Sequence, residues 1–138
     1  MAPALPVPAP DRTPDADAFW SATTEGRLVL AHCDECEEVI WYPRQMCPAC
    51  GSTAVSWVDA SGHGTVYSFT VVHRGAGLFT QSAPYVLAYV ELAEGPRVLT
   101  NIVGCEPEQV RIGQPVEVEF FDTGEGSALY RFRPANPP

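Results

Sequence analysis

Four of the five cysteines form two pairs with the same spacing. Cys33 and Cys36 lie in "HCDECEE", Cys47 and Cys50 lie in "MCPACGS", and two residues separate the members of each pair. In such a knuckle both sulfurs can point at one ion while backbone amides donate hydrogen bonds to them. Four thiolates satisfy the tetrahedral preference of zinc and leave no open coordination position. We therefore expect a closed, structural zinc site.

The spacing does not by itself identify the metal. Paired cysteines also hold iron in rubredoxin-like sites and form dithiol redox sites. Availability and a structural role favour zinc, so iron is the second candidate and free or redox-active thiols are the third. His32 is a further potential ligand, but four cysteines already fill the coordination shell. Cys105 is expected to be a buried or half-buried small hydrophobic side chain.

The residues around the pairs predict the local backbone. Gly51 follows the second pair, where a left-handed backbone is useful, and Glu37 occupies the equivalent place after the first pair. The first knuckle should therefore be less ideal. The ten residues between the pairs, "EEVIWYPRQM", are enough for a short hairpin between the knuckles.

The whole chain limits the function classes. With 138 residues and 46% hydrophobic content, it can form one modest core, or a small domain plus a module that needs a metal ion or a cross-link for stability. No apolar run approaches the roughly 18 residues of a membrane-spanning helix, and the N-terminus "MAPALPVPAPDR" does not resemble a signal peptide. We expect a cytoplasmic protein without membrane contact, in which reduced thiols are free to bind metal.

The charge argues against nucleic acid as a partner. The formal net charge is -9, with eight Lys and Arg against seventeen Asp and Glu. Such an acidic chain repels a phosphate backbone. Each arginine is also at least as well suited to pairing with one of these acids as to binding a ligand phosphate.

The composition divides the chain into four parts. Residues 1–14 form a proline-rich tail, disordered or serving as a linker to a larger polypeptide. Residues 15–56 hold a short helix and the zinc ribbon, residues 57–134 a barrel, and residues 135–138 a second tail. Asp15 or Asp17 should cap the helix, Gly26 should end it, and "RLVLAHC" should run as a strand into the first cysteine pair.

Beyond Trp57 the sequence predicts a mainly β domain of five strands. The predicted strands are "GTVYSFTVVHR", "PYVLAYVEL", "RVLTNIV", "QPVEVEFF" and "ALYRFRP". A single helical turn in "EPEQVRIG" separates the third strand from the fourth. This order fits a five-stranded barrel of the OB type. A five-stranded sandwich or an SH3-like barrel is the alternative.

Several residues are candidates for contact with a partner or a ligand. The apolar pair in the helix either packs on the ribbon or docks on a partner, and the loop from His73 to Tyr85 is either an ordinary barrel loop or a docking finger. Arginines could bind the phosphates of a ligand. Neither His63 nor His73 has a motif partner for acid-base catalysis. The candidates are Phe19, Trp20, Arg44, His73, Arg74, Leu78 and Phe79.

Over residues 17 to 134 the chain resembles a family of acyl-CoA-associated proteins that join a rubredoxin-like zinc ribbon to an OB-fold, long known as a domain of unknown function. The resemblance rests on "FW" in the helix and on "RLVLAHCDECEEVIWYPRQMCPACGS", "GHGTVYSFTVVHR", "PYVLAYVELAEGPRVLTNIVG" and "VRIGQPVEVEF". The four paired cysteines match the family's metal positions. Glu37, where glycine is common in the family, is the visible departure.

The resemblance implies a non-catalytic accessory subunit. Members accompany thiolase-like or hydratase-like enzymes of CoA thioesters, including a thiolase-like aldolase of steroid side-chain breakdown. The expected partner is thus a thiolase-like enzyme, with a hydratase domain as a second candidate and a CoA thioester reached through the complex. The alternative is a module that binds single-stranded nucleic acid, because zinc ribbons and OB-folds both do so and Tyr67, Phe69, Tyr85 and Tyr89 could stack bases.

Overall fold

The computed structural model describes residues 4–135. The first three residues of the predicted N-terminal tail, and all of the predicted C-terminal tail except Ala135, lie outside this range. The elements are a helix α1 (Asp17–Thr23) and the strands β1 (Val29–Cys33), β2 (Val39–Ile40), β3 (Val55–Asp59), β4 (His63–Val72), β5 (Tyr85–Leu92), β6 (Arg97–Ile102), β7 (Pro115–Asp122) and β8 (Ala128–Pro134). Short 3₁₀ turns lie at Gly77–Phe79 and Pro107–Gln109.

The strands form one small sheet and one closed barrel. The small sheet has the order β2-β1-β3, and the barrel has the order β4-β5-β6-β8-β7. All barrel pairs are antiparallel except β6 with β8, where Ile102 lies opposite Phe132. A closed five-stranded barrel with a helical turn between its third and fourth strands confirms the predicted OB-fold.

The barrel strands follow the expected period of two. Along β5, the buried side chains of Val86, Ala88 and Val90 alternate with the outward-facing Leu87 and Tyr89. The inward residues of all five strands fill the barrel, so side-chain packing rather than a channel occupies its interior.

The helix and the ribbon share the barrel's core. Phe19, Trp20 and Leu30 belong to the same buried cluster as Val90 and Phe132. The prediction that Phe19 and Trp20 contact a partner is therefore wrong for this structure, because both side chains are buried and unavailable at the surface. The alternative interpretation was packing on the ribbon, and the structure shows Phe19 in contact with Trp41 of the ribbon and also with Tyr130 of the barrel.

Two local predictions need correction. Neither predicted aspartate caps α1: the N-cap is Ala16, with no side-chain hydrogen bond, and Asp17 instead accepts a bond of 3.0 Å from Arg12 Nε. The predicted hairpin between the knuckles is also wrong. The two-residue β2 pairs with β1, so the hairpin encloses the first knuckle. Gly26, with φ +73°, follows the helix as predicted.

The described part of the proline-rich segment lies against the barrel without regular secondary structure. The carbonyl of Pro6 accepts a hydrogen bond of 2.5 Å from Arg131, and Leu5 lines a cleft beside β5 and β6. Across residues 4–135, no helix is long and apolar enough to cross a membrane.

Candidate metal centre and contact surfaces

The four paired cysteines converge at one end of the small sheet. Their Sγ atoms all lie within 4.8 Å of one another, and the distances from Cys33 to Cys50 and from Cys36 to Cys47 are 3.6 Å. Zinc with four sulfurs at about 2.3 Å places those sulfurs about 3.8 Å apart, so the set fits a tetrahedral ion. The same distances are far longer than a disulfide bond.

The two knuckles have equivalent backbones. Around the first, the amide of Glu37 donates to the Cys33 carbonyl and the amide of Cys33 donates to the Glu38 carbonyl, both at 2.9 Å. Around the second, the amide of Gly51 donates to the Cys47 carbonyl and the amide of Cys47 donates to the Ser52 carbonyl, both at 2.8 Å. The sequence repeat is therefore a structural repeat, with one ion position between its halves.

The left-handed position in each knuckle explains the difference noticed in the sequence. Gly51 has φ +78° and Glu37 has φ +62°, and Glu37 is the one non-glycine residue with positive φ among residues 4–135. A side chain in this region costs about 1–2 kcal/mol. The first knuckle thus contains backbone strain that the second avoids.

The first knuckle is tied to β3 by Asp34. Its carboxylate accepts hydrogen bonds from Ser56 Oγ at 2.7 Å and from His32 Nδ1 at 3.2 Å, and these bonds lower the pKa of Asp34. Since the Nδ1 atom of His32 faces this carboxylate, the imidazole supports the knuckle from outside the four-sulfur cluster. Among residues 4–135, the group that could hold a metal ion consists of the four cysteines.

Backbone amides favour thiolates at the cluster, whereas neighbouring sulfurs disfavour the ionisation of one another. The backbone N–H of Cys36 lowers the pKa of Cys33 to about 7. The backbone N–H of Glu38 lowers the pKa of Cys36, but desolvation and hydrogen bonds with the neighbouring sulfurs raise it to about 12. A divalent cation removes this conflict by stabilising all four thiolates together.

The remaining predicted contact residues do not form one site. Arg44 is exposed on the ribbon beside Trp57, whereas His73 and Arg74 are exposed just after β4. In the following loop Leu78 is 69% exposed, and the half-buried Phe79 lies against Tyr85 with ring centroids 5.4 Å apart. The loop tip therefore exposes Leu78, while Phe79 packs on the start of β5.

A cleft of about 420 Å³ beside β5 and β6 is mainly apolar and includes Tyr85, Ile102 and Cys105 in its walls. Burial raises the pKa of the Cys105 thiol, and the nearby charge of Glu106 raises it further. The thiol is therefore held in its protonated, weakly nucleophilic form. The half-buried position predicted for Cys105 is confirmed.

Sequence reasoning missed one surface. The outward side chains of Tyr67, Leu87, Tyr89 and Leu99 on β4, β5 and β6 are all exposed. In the run "PYVLAYVEL" both faces of the strand are apolar except at Glu91, which resembles a fully buried strand and hides the exposed face. The large apolar residues at the outward positions before Glu91 were the available signal.

The fold and the four-sulfur cluster define a class: a zinc ribbon joined to an OB-fold. Residues 20–56 match the family model described as "ChsH2, rubredoxin-like zinc ribbon domain", and residues 57–121 match "ChsH2, C-terminal OB-fold domain". A DUF35 domain-containing scaffold protein of Methanocaldococcus jannaschii is 39% identical over 78% of this chain and 81% of its own length. The chain belongs to this DUF35 (ChsH2-type) family of zinc ribbon and OB-fold proteins.

Other similar proteins are named as subunits of CoA enzymes or as an aldolase. A probable enoyl-CoA hydratase alpha subunit of Thermomonospora curvata is 40% identical over 96% of this chain, which spans only 40% of that relative's length. The benzoylsuccinyl-CoA thiolase subunit BbsA of Geobacter metallireducens is 36% identical over 62% of this chain and 56% of its own length. A chain of the solved Ltp2-ChsH2(DUF35) aldolase superposes with a TM-score of 0.84, at 37% identity, covering 93% of this chain and all of that one.

Proposed function

We propose that this chain is a non-catalytic accessory subunit that docks on a thiolase-like enzyme of CoA thioesters and supports its activity. The observation that carries the proposal is the similarity over 93% of the chain to one chain of an aldolase complex. The thiolase subunit and the hydratase subunit among the similar proteins have names that point to CoA thioesters as the substrate class. A hydratase domain is the second candidate partner.

In this proposal the zinc ligands are Cys33, Cys36, Cys47 and Cys50. Their mutual distances and the equivalence of the two knuckles support the assignment. A tetrahedral ion with four protein ligands has no open position for substrate, so its contribution is to the stability of the ribbon.

The described residues favour a supporting role over independent catalysis. Within residues 4–135 the imidazole rings of His63 and His73 make no hydrogen bond, and the one bond to Ser61 Oγ comes from the backbone N–H of His63, whereas a catalytic base needs a partner to orient its ring. The interior of the barrel is a hydrophobic cluster, and the charged residue buried on its strands, Arg131, donates a hydrogen bond to the Pro6 carbonyl. Chemistry on a CoA thioester would then come from the partner enzyme.

Co-expression tests the proposal directly. The full chain is produced with each thiolase-like and hydratase-like protein of its own organism, and complexes are resolved by size-exclusion chromatography and native mass spectrometry. We expect a complex of fixed stoichiometry with a thiolase-like protein that contains one zinc per copy of this chain. A chain that remains free of all these proteins, or that elutes with nucleic acid instead, would overturn the proposal.

A further inference from the structure

The outer surface of the barrel has two contrasting sides. On β7 and β8 the outward residues include an ion-pair group, in which Arg133 pairs with Glu117 at 3.1 Å and with Glu119 at 3.4 Å. On β4, β5 and β6 four large apolar side chains are exposed, and the small polar residues Ser68, Thr70 and Asn101 pair with two of them. We call this second side the apolar face; its exposed members are Tyr67 (47% exposed), Leu87 (37%), Tyr89 (46%) and Leu99 (47%).

The strand register makes the apolar face continuous. Tyr89 lies directly opposite Leu99 on β6, and Leu87 lies two residues before Tyr89 on the same side of β5. A register irregularity between Val66 and Ser68 accompanies the outward position of Tyr67. Neighbouring outward side chains on paired strands are close enough to form one surface.

The face is electrically neutral although the chain carries a net charge of -9. Its carboxylate, Glu91, is paired with Arg97 at 3.0 Å, and the Arg97 guanidinium lies 3.8 Å from the centroid of the Tyr67 ring. Depletion of free charge and enrichment in tyrosine are typical of the centre of a protein interface.

The exposed area of the apolar face is also large enough to form the centre of a protein interface. Each tyrosine leaves about 100 Å² exposed, roughly half of what an aromatic residue can bury, and the two leucines bring the face to about 300–400 Å². The tip of the loop extends this surface, because Phe79 packs on Tyr85 at the start of β5 and Leu78 projects beside it. A standard interface buries about 800 Å² per partner, so the apolar face would form the interface centre.

We infer that the apolar face is the surface by which this chain docks on its partner, and that the partner presents an apolar patch surrounded by basic residues. The inference rests on the proposed function, which supplies a thiolase-like enzyme as the partner. Charge complementarity selects this occupant. A second copy of the chain would bring two bodies of charge -9 together, which opposes a homodimer.

Charge also disfavours a nucleic acid on this face. The exposed tyrosines could stack bases, but stacking sites for single strands depend on cations along the backbone path. Arg97 is already neutralised by Glu91. The apolar face therefore offers bases a surface without offering phosphates a free cation of its own.

Matched aspartate substitutions test the inference. Leu87→Asp and Leu99→Asp change the face, and Val58→Asp on β3 of the ribbon sheet is the control, because Val58 is 36% exposed and Leu87 is 37% exposed. Affinity is measured by isothermal titration with the thiolase-like protein that binds the wild-type chain. Zinc content and melting temperature of each variant establish that it is folded.

We expect each face variant to bind about 30-fold more weakly or worse, as for central interface residues, and the control to remain within about threefold of wild type. An added negative charge strengthens long-range attraction to a basic rim, so a loss of affinity reports burial of the substituted site.

Two kinds of failure are distinguishable. If the wild-type chain binds no thiolase-like protein, the proposed function is overturned and the inference falls with it. If the wild-type chain binds and the face variants bind equally well, the apolar face is not the docking surface, and the proposed function is unaffected. A homodimer in sedimentation that Leu99→Asp disrupts, or binding of an oligo-dT strand that Tyr89→Ser abolishes, would assign the face to a different occupant and also overturn the inference.

Discussion

The indole Nε1 of Trp20 donates a hydrogen bond of 2.9 Å to the hydroxyl of Tyr42 and so joins α1 to the segment between the two zinc knuckles. Beside it, the ring of Phe19 contacts Trp41 at 5.4 Å and Tyr130 of β8 at 5.8 Å between centroids. One aromatic cluster therefore contacts the helix, the ribbon and the barrel. The metal centre and the barrel should respond to perturbation as one cooperative unit.

Removing the hydroxyl of Tyr42 tests this junction. Tyr42→Phe leaves the buried side of the Trp20 indole without its acceptor, and we expect the free energy of unfolding to fall by about 1 kcal/mol in urea titrations. Tyr67→Phe, on the exposed apolar face, is the matched control and should change it by less than about 0.5 kcal/mol. Equal effects of the two substitutions would show that the Trp20–Tyr42 bond does not stabilise the fold.

Loss of one zinc ligand should affect the whole chain. Cys47→Ser removes a buried thiolate from the cluster, and β1, which carries Cys33, also contributes Leu30 to the barrel's core. We expect zinc to be lost and the free energy of unfolding to fall by about 4 kcal/mol or more. Zinc is measured by mass spectrometry of the metal and stability by thermal unfolding.

The control for the zinc prediction is Cys105→Ser, which changes a thiol outside the cluster. This variant should retain one zinc per chain. Retention of zinc by Cys47→Ser, or an unchanged melting temperature after zinc is lost, would contradict a structural role for the ion.

The strained knuckle offers a stabilising substitution. Glu37→Gly removes a left-handed side chain that costs about 1–2 kcal/mol, against about 0.5–1 kcal/mol of extra backbone entropy for glycine. We expect the free energy of unfolding to rise by about 0.5–1 kcal/mol. Gly51→Ala is the reciprocal test: no atom lies within 4 Å of the added Cβ, so backbone strain alone should destabilise this variant. A destabilised Glu37→Gly variant would show that the Glu37 side chain contributes more than its strain costs.

The tip of the loop between β4 and β5 should contribute to docking. Phe79 is half-buried on Tyr85 and supports the exposed Leu78. Phe79→Ala should weaken binding to the thiolase-like partner about tenfold with little change in zinc content, as measured by titration calorimetry. Arg44→Ala, on the ribbon, provides the comparison. Unchanged affinity and unchanged kinetics of the complex would remove this loop from the interface.

The zinc cluster and the barrel strands could be predicted because their signals are local. The spacing of Cys33 and Cys36 by itself predicts a knuckle. The period of two in "QPVEVEFF" follows from one buried side of β7. The structure of the interval between the knuckles was harder to predict, because β2 has only two residues and pairs with β1, which lies before the first knuckle.

Other features depend on contacts that are distant in sequence. The cap of α1 was predicted wrongly because Asp17 is already the first residue of the helix. Its carboxylate accepts a hydrogen bond from Arg12, which also donates to the Gly126 carbonyl. The burial of Trp20 was undecided because a seven-residue helix does not reveal from its own sequence what it packs against. The apolar face was missed for the same reason: exposure depends on which strands neighbour β5 and what covers them.

The most direct test of the accessory-subunit account is the activity of the thiolase-like partner, assayed on CoA thioesters with and without this chain. The account predicts that kcat/KM rises by at least about tenfold and saturates at a fixed molar ratio, because docking supports the partner's active site. An enzyme that is equally active alone, with no change on addition of the folded, zinc-loaded chain, would contradict it.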